Sequence, residues 1–389
     1  MIRYILLAFL AVFAACALAI FGVDFYLYLV DRYCRFHIGR WKNRQEWKNA
    51  IYRVARKWAR RTPTVKITDN ARYVLLDMLR GKYRSQSIQS WQNAAIILGL
   101  WENGSAEEAR KATTEFIKTD GNWKKQPVAV DSSMLAYAIL KVVTDPESVR
   151  PAMDTMISII ENHMDDRGLI SYTGGNKNPE RYVDTLGLVC PFLALYAKTY
   201  QNVRYSKIAF EQLEFYHDFG LFADSGLPNH AIHGESKLPL GVYGWGRGTV
   251  WYTLGLVDTY AQIMDENMKK KLADWIMEAA NRYRYYQRPD GGFGSILQRM
   301  DSYDSSATAG LAYFYTQAAQ VTAEPDHWKI ADDCLKKLQK VTRISGKIDM
   351  CQGDTKGIGI FAQTYDIMPF AQGLALRALA IHERNSLDG

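Results

Sequence analysis

Two aspartates stand where helices are predicted to begin, among neighbours that are otherwise apolar. Asp131 opens the stretch DSSMLAYAIL, and Asp184 lies within RYVDTLGLVCPFLALYAKTY. Either residue could serve only as an N-cap, which accepts hydrogen bonds from the first backbone amides of a helix. If the two carboxyls face each other, their mutual repulsion holds one of them protonated near neutral pH, as a general acid requires. The pair is therefore a candidate for acid–base catalysis.

A cation flanked by aromatic residues follows further along the chain, in the motif WGRGTVW. Trp245 and Arg247 stand just before a predicted helix, and Trp251 lies four residues past the arginine on the same helix face. A guanidinium can bind a carboxylate through two parallel hydrogen bonds while indoles stack on a sugar ring. The motif is thus suited to a sugar that bears a carboxylate. A structural ion pair with both tryptophans in the core is the alternative.

Further polar side chains lie in the loops that precede two predicted helices. His230 and His233 occur in PNHAIHGES, where zinc binding is conceivable but no third and fourth ligands are apparent. We therefore expect no metal, and hydrogen-bonding roles for both histidines. Tyr303 and Ser305 stand near the start of the next helix, where their hydroxyls either contact a ligand or cap the helix.

The elements that must position these residues are helices of two alternating kinds. Strand-like alternation is scarce beyond residue 61, and apolar residues recur at intervals of three and four. One set is apolar on most faces and is predicted to be buried: 86–101, 130–143, 182–200, 247–264, 302–320 and 367–383. The other set has a charged face and is predicted to cover the first: 66–81, 106–119, 146–163, 202–219, 267–285 and 325–342. Six of each predict an all-α fold, an (α/α)6 barrel, with an irregular helical solenoid as the alternative.

The charge distribution narrows the class of protein. The 389 residues are 48% hydrophobic and 23% charged, as in folded globular proteins. The net charge is +7, yet residues 1–61 alone carry +9, so the rest of the chain is slightly acidic. A nucleic-acid partner is therefore not expected. The five cysteines are scattered without a CxxC pair, which argues against a disulfide framework or a zinc site.

The start of the chain predicts a membrane segment. Residues 4–23 contain no charge, and about 20 apolar residues cross the ~30 Å hydrocarbon layer as a helix. We assign 1–31 to a transmembrane anchor, 32–61 to a basic juxtamembrane segment and 62–389 to the barrel domain. Basic residues after the span favour a single pass with the domain in the cytoplasm, and an extracytoplasmic domain is the alternative. A cleaved signal peptide or a lipoprotein modified at Cys16 fits less well.

The succession of these blocks resembles one enzyme group. The blocks are DSSMLAYAIL, YVDTLGLVCPFLALYAKTY, NHA, WGRGTVWYTLGLVD, DGGFG and DSYDSSATAGLAYFY, over roughly residues 70 to 385. Their order and spacing resemble the unsaturated uronyl hydrolases of glycoside hydrolase families 88 and 105. The resemblance implies an (α/α)6 barrel and, as substrate and partner, an oligosaccharide with an unsaturated uronic acid at its non-reducing end. It implies hydration of a vinyl ether, with no metal and no cofactor.

The resemblance also implies residue roles. Asp184 would protonate C4 of the C4=C5 bond, and Asp131 would hold or tune that acid. The sugar subsite would comprise His230, Trp245, Arg247 and Trp251. Tyr182 stands where relatives of the rhamnogalacturonyl type place a tryptophan, and SYTGG replaces a loop in which a histidine is expected. These departures concern the identity of the substrate more than the chemistry.

Two other classes of function remain open at this point. The same barrel could carry an ordinary glycosidase or an epimerase-like sugar isomerase, since one fold hosts many chemistries. The anchor and the altered loop also fit a non-catalytic, sugar-binding scaffold in polysaccharide assembly at the membrane.

Overall fold

The computed structural model describes residues 1–36, 38–63, 65, 66, 74–80, 83, 84, 89–173, 175 and 178–387. In chain order the helices of these residues are α1 (Ile2–Phe36), α2 (Arg44–Arg60), α3 (Val74–Leu79), α4 (Ser90–Glu102), α5 (Ala106–Thr113), α6 (Ser133–Val142), α7 (Arg150–Asn162), α8 (Asp184–Tyr200), α9 (Val203–Phe219), α10 (Gly246–Tyr260), α11 (Glu266–Tyr283), α12 (Ser305–Thr322), α13 (Pro325–Lys340) and α14 (Pro369–Leu387). Strands are short: β1 (Val65–Lys66), β2 (Tyr83–Arg84), β3 (Glu180–Tyr182), β4 (Ala231–His233), β5 (Pro239–Leu240), β6 (Cys351–Gln352) and β7 (Tyr365–Asp366).

Six helices form a closed inner ring, which confirms the predicted (α/α)6 barrel. Helices α4, α6, α8, α10, α12 and α14 each pack on the next, and α14 packs back on α4. The core lies among these helices because they are apolar on nearly every face. The outer ring consists of α2, α5, α7, α9, α11 and α13. An open solenoid would leave the first and last helices apart, so that alternative does not describe this chain.

Ring closure depends on small residues where α4 meets α14. A Cβ on Gly373 would lie 2.1 Å from the carbonyl oxygen of Ala95, and a Cβ on Gly99 would lie 2.7 Å from that of Gly373. No larger residue fits without moving a helix, since these neighbours are backbone atoms. The two glycines therefore let the helices approach closely at the seam where the chain's two ends meet.

The first outer helix differs from the one that the sequence predicted. Within the predicted helix 66–81, the structure describes residues 66 and 74–80, which contain the end of β1 and the short helix α3; the outer position is taken by α2. The reason is a buried face with helical spacing, formed by Trp47, Ile51, Val54 and Trp58. Helix α2 lies inside the segment 32–61. The many basic residues of this segment hide the apolar face of the helix when residues are counted by type without regard to helical spacing. The assigned limits of anchor, juxtamembrane segment and domain stay predictions.

Helix α1 is long and apolar, and it has no buried residue. It is compatible with a single-pass membrane anchor or with a signal sequence. Only its C-terminal turns bind the barrel through ion pairs: Arg35 Nε lies 2.6 Å from Asp349 Oδ2, and Asp31 Oδ1 lies 3.2 Å from Arg343 Nη1 among the described contacts.

The long connections all precede inner helices and therefore lie at one end of the barrel, which we call the mouth. The loop 341–368, which carries β6 and β7, lies against the start of α12. There Ser305 N donates to Met350 O at 3.0 Å, and Gln352 N donates to Asp304 Oδ1 at 3.0 Å. The three-stranded sheet β3–β4–β5 joins two other mouth loops, with Tyr182 opposite Ala231.

Trp47→Ala tests the place of α2 in the outer ring. Trp47 is 0% exposed, and its Nε1 donates to Thr342 Oγ1 at 2.8 Å. We expect the free energy of unfolding to fall by about 3–5 kcal/mol, because a large cavity forms and the Thr342 hydroxyl loses the hydrogen bond from the indole. Chemical denaturation measures this loss. Lys57→Ala on the exposed face of α2 is the control and should change little; equal effects would contradict the packing.

Candidate active site

A cavity of about 290 Å³ opens at the mouth of the barrel. Its size lies just below the ~300–1,000 Å³ range for small-molecule sites, so it suits a small ligand. Five of the residues singled out in the sequence line it: Tyr182, Asp184, His230, Arg247 and Trp251. The rest of the wall is formed by Gln89, Trp91, Tyr172, Thr173, Leu188, Asp354, Thr355, Lys356 and Gly357.

Asp184 is the first residue of α8, and the sheet β3–β4 fixes its position. Val183 N donates to the carbonyl of His230 at 3.0 Å, directly before the helix begins. The Asp184 Oδ2 atom is buried and has no hydrogen-bond partner. Burial raises the pKa of this carboxyl to about 7, and Asp354 adds to the rise, while a backbone amide and Arg247 oppose it. The carboxyl is therefore partly protonated at neutral pH.

Asp354, and not Asp131, is the carboxylate whose charge raises the pKa of Asp184. Asp131 lies in a 3-10 turn before α6, where Ser132 Oγ donates to it at 3.4 Å, and it does not line the cavity. Burial raises the pKa of Asp131, and the charge of Asp354 contributes. The repulsion predicted between Asp131 and Asp184 is thus replaced by a contribution from the loop 341–368, which packs over the mouth from a distant part of the chain.

His230 faces the acid as a neutral side chain. Its Nε2 lies 3.9 Å from Asp184 Oδ2, too far for a direct hydrogen bond. Its Nδ1 accepts from Gly359 N at 3.1 Å, so the proton of the neutral ring lies on Nε2, on the side of Asp184. Burial, and next the charge of Arg247, lower the pKa of His230 to about 4. The gap between the two side chains can hold a hydroxyl or a water that both contact.

Arg247 is 1% exposed and uses most of its donors within the protein. Its Nη1 donates to Gln352 O at 2.8 Å, and its Nη2 donates to Gly353 O at 2.8 Å. Nη2 also lies 3.8 Å from Asp354 Oδ1. The arginine therefore fastens the loop 341–368 to the start of α10 and also presents positive charge to the cavity. These contacts agree with a packing role, and binding of a carboxylate by Arg247 stays a prediction.

Aromatic rings form one wall of the cavity. Trp91 and Trp251 meet edge to face with centroids 5.5 Å apart, and Phe370 supports both from behind. Tyr172 and Tyr182 form a second pair with centroids 5.4 Å apart. Such surfaces bind the apolar faces of sugar rings.

Besides Asp131, four residues singled out in the sequence do not line the cavity. Trp245 packs behind His230, with ring centroids 4.7 Å apart. His233 lies three residues along the strand and accepts from Ser236 N, while Tyr303 lies under Lys337 and Ser305 is buried at the start of α12. Their assignment to the sugar subsite stays a prediction. Among the described residues, no group of three or more His, Cys, Asp or Glu side chains could hold a metal ion.

Two signals in the sequence could have identified some of the lining residues that the sequence analysis did not name. Gln89 and Trp91 stand at the start of an inner helix, the same place in the repeat as Asp131, Asp184 and Arg247. Tyr172 and Thr173 belong to SYTGG, the loop already noted for its lack of a histidine. Asp354 and Lys356 lie in a glycine-rich insert, where no local pattern distinguishes a lining residue from a solvated one.

Comparisons with known proteins agree with this architecture. The family model described as Glycosyl Hydrolase Family 88 matches residues 40–385. No curated protein matches the chain. A possible member of glycoside hydrolase family 105 from Klebsiella pneumoniae is similar in structure, with a TM-score of 0.70 and 16% identity over 88% of this chain and 94% of that one.

Two further solved structures have the same fold. The unsaturated glucuronyl hydrolase of Bacillus sp. GL1 has a TM-score of 0.61 and 18% identity, over 87% of this chain and 95% of that one. An unsaturated glucuronyl hydrolase specific for heparin has a TM-score of 0.63 and 16% identity, over 88% and 98%.

Asp184→Asn should stabilise the protein at alkaline pH. Because the folded-state pKa is raised from 3.8 to about 7, the carboxyl costs stability progressively as the pH rises between these values, by up to ~4 kcal/mol above pH 7. The amide carries no such cost. Thermal melts should show a higher melting temperature for the variant at pH 8 and little difference at pH 4. Asp349→Asn is the control. Arg343 and Arg35 outweigh burial and lower the pKa of Asp349, so this substitution should lower the melting temperature at pH 8.

Arg247→Lys should lower the melting temperature by roughly 2–5 °C, because an ammonium cannot hold both carbonyls of the loop 341–368. Differential scanning calorimetry measures the shift. Arg299→Lys, at an exposed pair with Asp301, provides the comparison and should leave the melt unchanged. An unaltered melt for Arg247→Lys would show that the loop does not depend on this side chain.

Proposed function

We propose a reaction for this chain, which belongs to Glycosyl Hydrolase Family 88: removal of an unsaturated uronic acid from the non-reducing end of an oligosaccharide by hydration of its C4=C5 bond. The observation that carries the proposal is the carboxyl of Asp184. It is buried beside the cavity, has an unpartnered oxygen, and has a pKa of about 7. A general acid for neutral pH needs these properties.

The reaction requires one proton and one water. Asp184 donates its proton to C4, which leaves positive charge shared between C5 and the ring oxygen. Water adds at C5 and returns a proton to Asp184, so the acid is regenerated. The resulting hemiketal opens to a ketone at C5, and the hemiacetal at C1 then releases the remaining saccharide. No metal or cofactor enters this sequence, and the carboxyl-separation rule of ordinary glycosidases does not apply to it.

Other lining residues orient the sugar in this proposal. The Nε2–H of neutral His230 donates to the water or to a ring hydroxyl between it and Asp184. Trp91 and Trp251 stack on the ring, and the charge of Arg247 attracts the substrate carboxylate. Asp131, in the turn before α6, stays a predicted second carboxyl of the site.

A second candidate is an ordinary glycosidase, which a second carboxyl in the cavity favours. Desolvation raises the pKa of Asp354, and this residue lines the same cavity as Asp184. Direct displacement by a carboxylate pair yields a sugar with an intact ring, whereas hydration yields an open keto acid. Product analysis by NMR distinguishes the two.

At the membrane, we propose that α1 is a retained single-pass anchor with the barrel on the cytoplasmic side. Support comes from the basic residues that follow the span, among them Arg32, Arg40 and Lys42. A protease-protection assay on intact and opened cells tests the orientation.

A panel of lyase-generated unsaturated uronyl disaccharides tests the reaction. We expect the ultraviolet absorbance of the conjugated double bond to disappear with at least one member. Asp184→Asn should reduce kcat by a factor of ~100 or more, because an amide of similar size cannot deliver the proton. Binding of the disaccharides without turnover by either form would instead indicate a non-catalytic sugar-binding protein.

The pH dependence tests the electrostatics of the acid. Because the protonated form of Asp184 is the active one, kcat/KM should fall as the pH rises through about 7. In Asp354→Asn a charge that raises the pKa of Asp184 is gone and Arg247 is no longer offset. The alkaline limb should therefore shift to lower pH. A limb that stays in place would show that Asp354 does not act on Asp184.

A further inference from the structure

The ion pairs of α1 lie at the mouth of the barrel, on the loop that also forms part of the cavity wall. Arg35 and Asp31 bind Asp349 and Arg343, which lie near the start of the loop 341–368. Five residues after Asp349, Asp354 lines the cavity. A chain of that length spans at most ~17 Å. The helix is thus attached at the end of the barrel where the site opens.

The same ion pairs lie beyond the point where α1 leaves the hydrocarbon layer. The uncharged run ends at Val23, directly before Asp24, and a helix rises about 1.5 Å per residue, so Asp31 and Arg35 lie about 12–18 Å beyond the run along the axis. The polar layer on each side of a bilayer is roughly 5–8 Å thick. The attachment to the mouth therefore lies about 4–13 Å beyond the outer edge of that layer.

The surface around this attachment has the composition of an interfacial one. Arg32, Tyr33, Phe36 and Arg40 are exposed at the end of α1, a mixture of basic and aromatic side chains that is typical of membrane interfaces. The loop 341–368 itself exposes large apolar side chains, namely Ile344, Met350, Ile360 and Tyr365. A membrane interface can accommodate such apolar side chains beside basic and aromatic ones.

We propose that the mouth of the barrel faces the membrane surface beside α1, and that the cavity takes saccharides presented at that surface. The partner is the lipid head-group layer of the membrane that α1 crosses. The substrate class is then a terminal unsaturated uronyl residue on a chain held close to the bilayer. This second statement rests on the proposed function, whereas the orientation of the mouth towards the membrane does not.

Fluorescence quenching tests the orientation with the full-length protein in phosphatidylcholine–phosphatidylglycerol vesicles. An environment-sensitive dye is attached to Ile360→Cys at the mouth or to Met264→Cys at the opposite end; these residues are 57% and 67% exposed. Both variants also carry Cys16→Ser and Cys34→Ser, because the other three cysteines are buried. We expect lipids with a nitroxide on the head group to quench the dye at position 360 at least threefold more than at 264. Equal quenching, or stronger quenching at 264, would overturn the proposal.

Tethered substrates test the presentation. An unsaturated uronyl disaccharide is supplied free, or linked to a phospholipid in the same vesicles by a spacer of about 10 Å or about 60 Å. We expect the short-spacer substrate to be consumed at least as fast as the long-spacer one, since the mouth lies within reach of the head groups. Consumption of the long-spacer form alone would contradict a mouth at the membrane. If the free disaccharide also resists turnover, the proposed reaction fails, and the quenching result still decides the orientation.

Discussion

Closure of the inner helical ring is the constraint on which the site depends. The lining residues lie between Gln89 and Gly357, and they meet because α14 returns to pack on α4. The closest approach along that seam requires glycine at positions 99 and 373, where a Cβ would meet backbone atoms. Once the ring is closed, all long loops project from one end and converge. A change at the seam would therefore disturb both the wall contributed by α4 and the loop that precedes α14.

Two carboxyls at opposite ends of the barrel have pKa values shifted in opposite directions. Asp258, towards the far end, receives two hydrogen bonds of 2.9 Å from Arg377, and this pairing outweighs burial and lowers its pKa. Asp184, at the mouth, has no such partner, because the nearest cation, Arg247, spends its donors on the carbonyls of Gln352 and Gly353. One carboxylate is thus fixed in its charged form as part of the ring, while the other keeps an accessible proton.

The periodicity of apolar residues was sufficient to predict the fold. Six nearly all-apolar segments had to be buried, and six amphipathic ones had to cover them, so the barrel followed from solvation alone. The first outer helix was misplaced because α2 carries many basic residues, and charge obscured the buried face of Trp47, Ile51 and Trp58. Because this helix follows a membrane span, the sequence analysis assigned it to a juxtamembrane segment, whereas the structure packs it in the outer ring of the barrel.

At the site, the sequence alone was sufficient to single out polar residues at the starts of inner helices, because a polar or charged group in that place interrupts an apolar pattern. Asp184 and Arg247 were singled out in this way, His230 and Trp251 were singled out in the loop before α10 and in the motif WGRGTVW, and the structure brings all four to one cavity. Only the tertiary structure brings the charge of Asp354 to Asp184 and shows that Arg247 fastens the loop 341–368. These relations depend on distances between segments far apart in the chain. No local pattern encodes such distances, because they arise only when the ring closes.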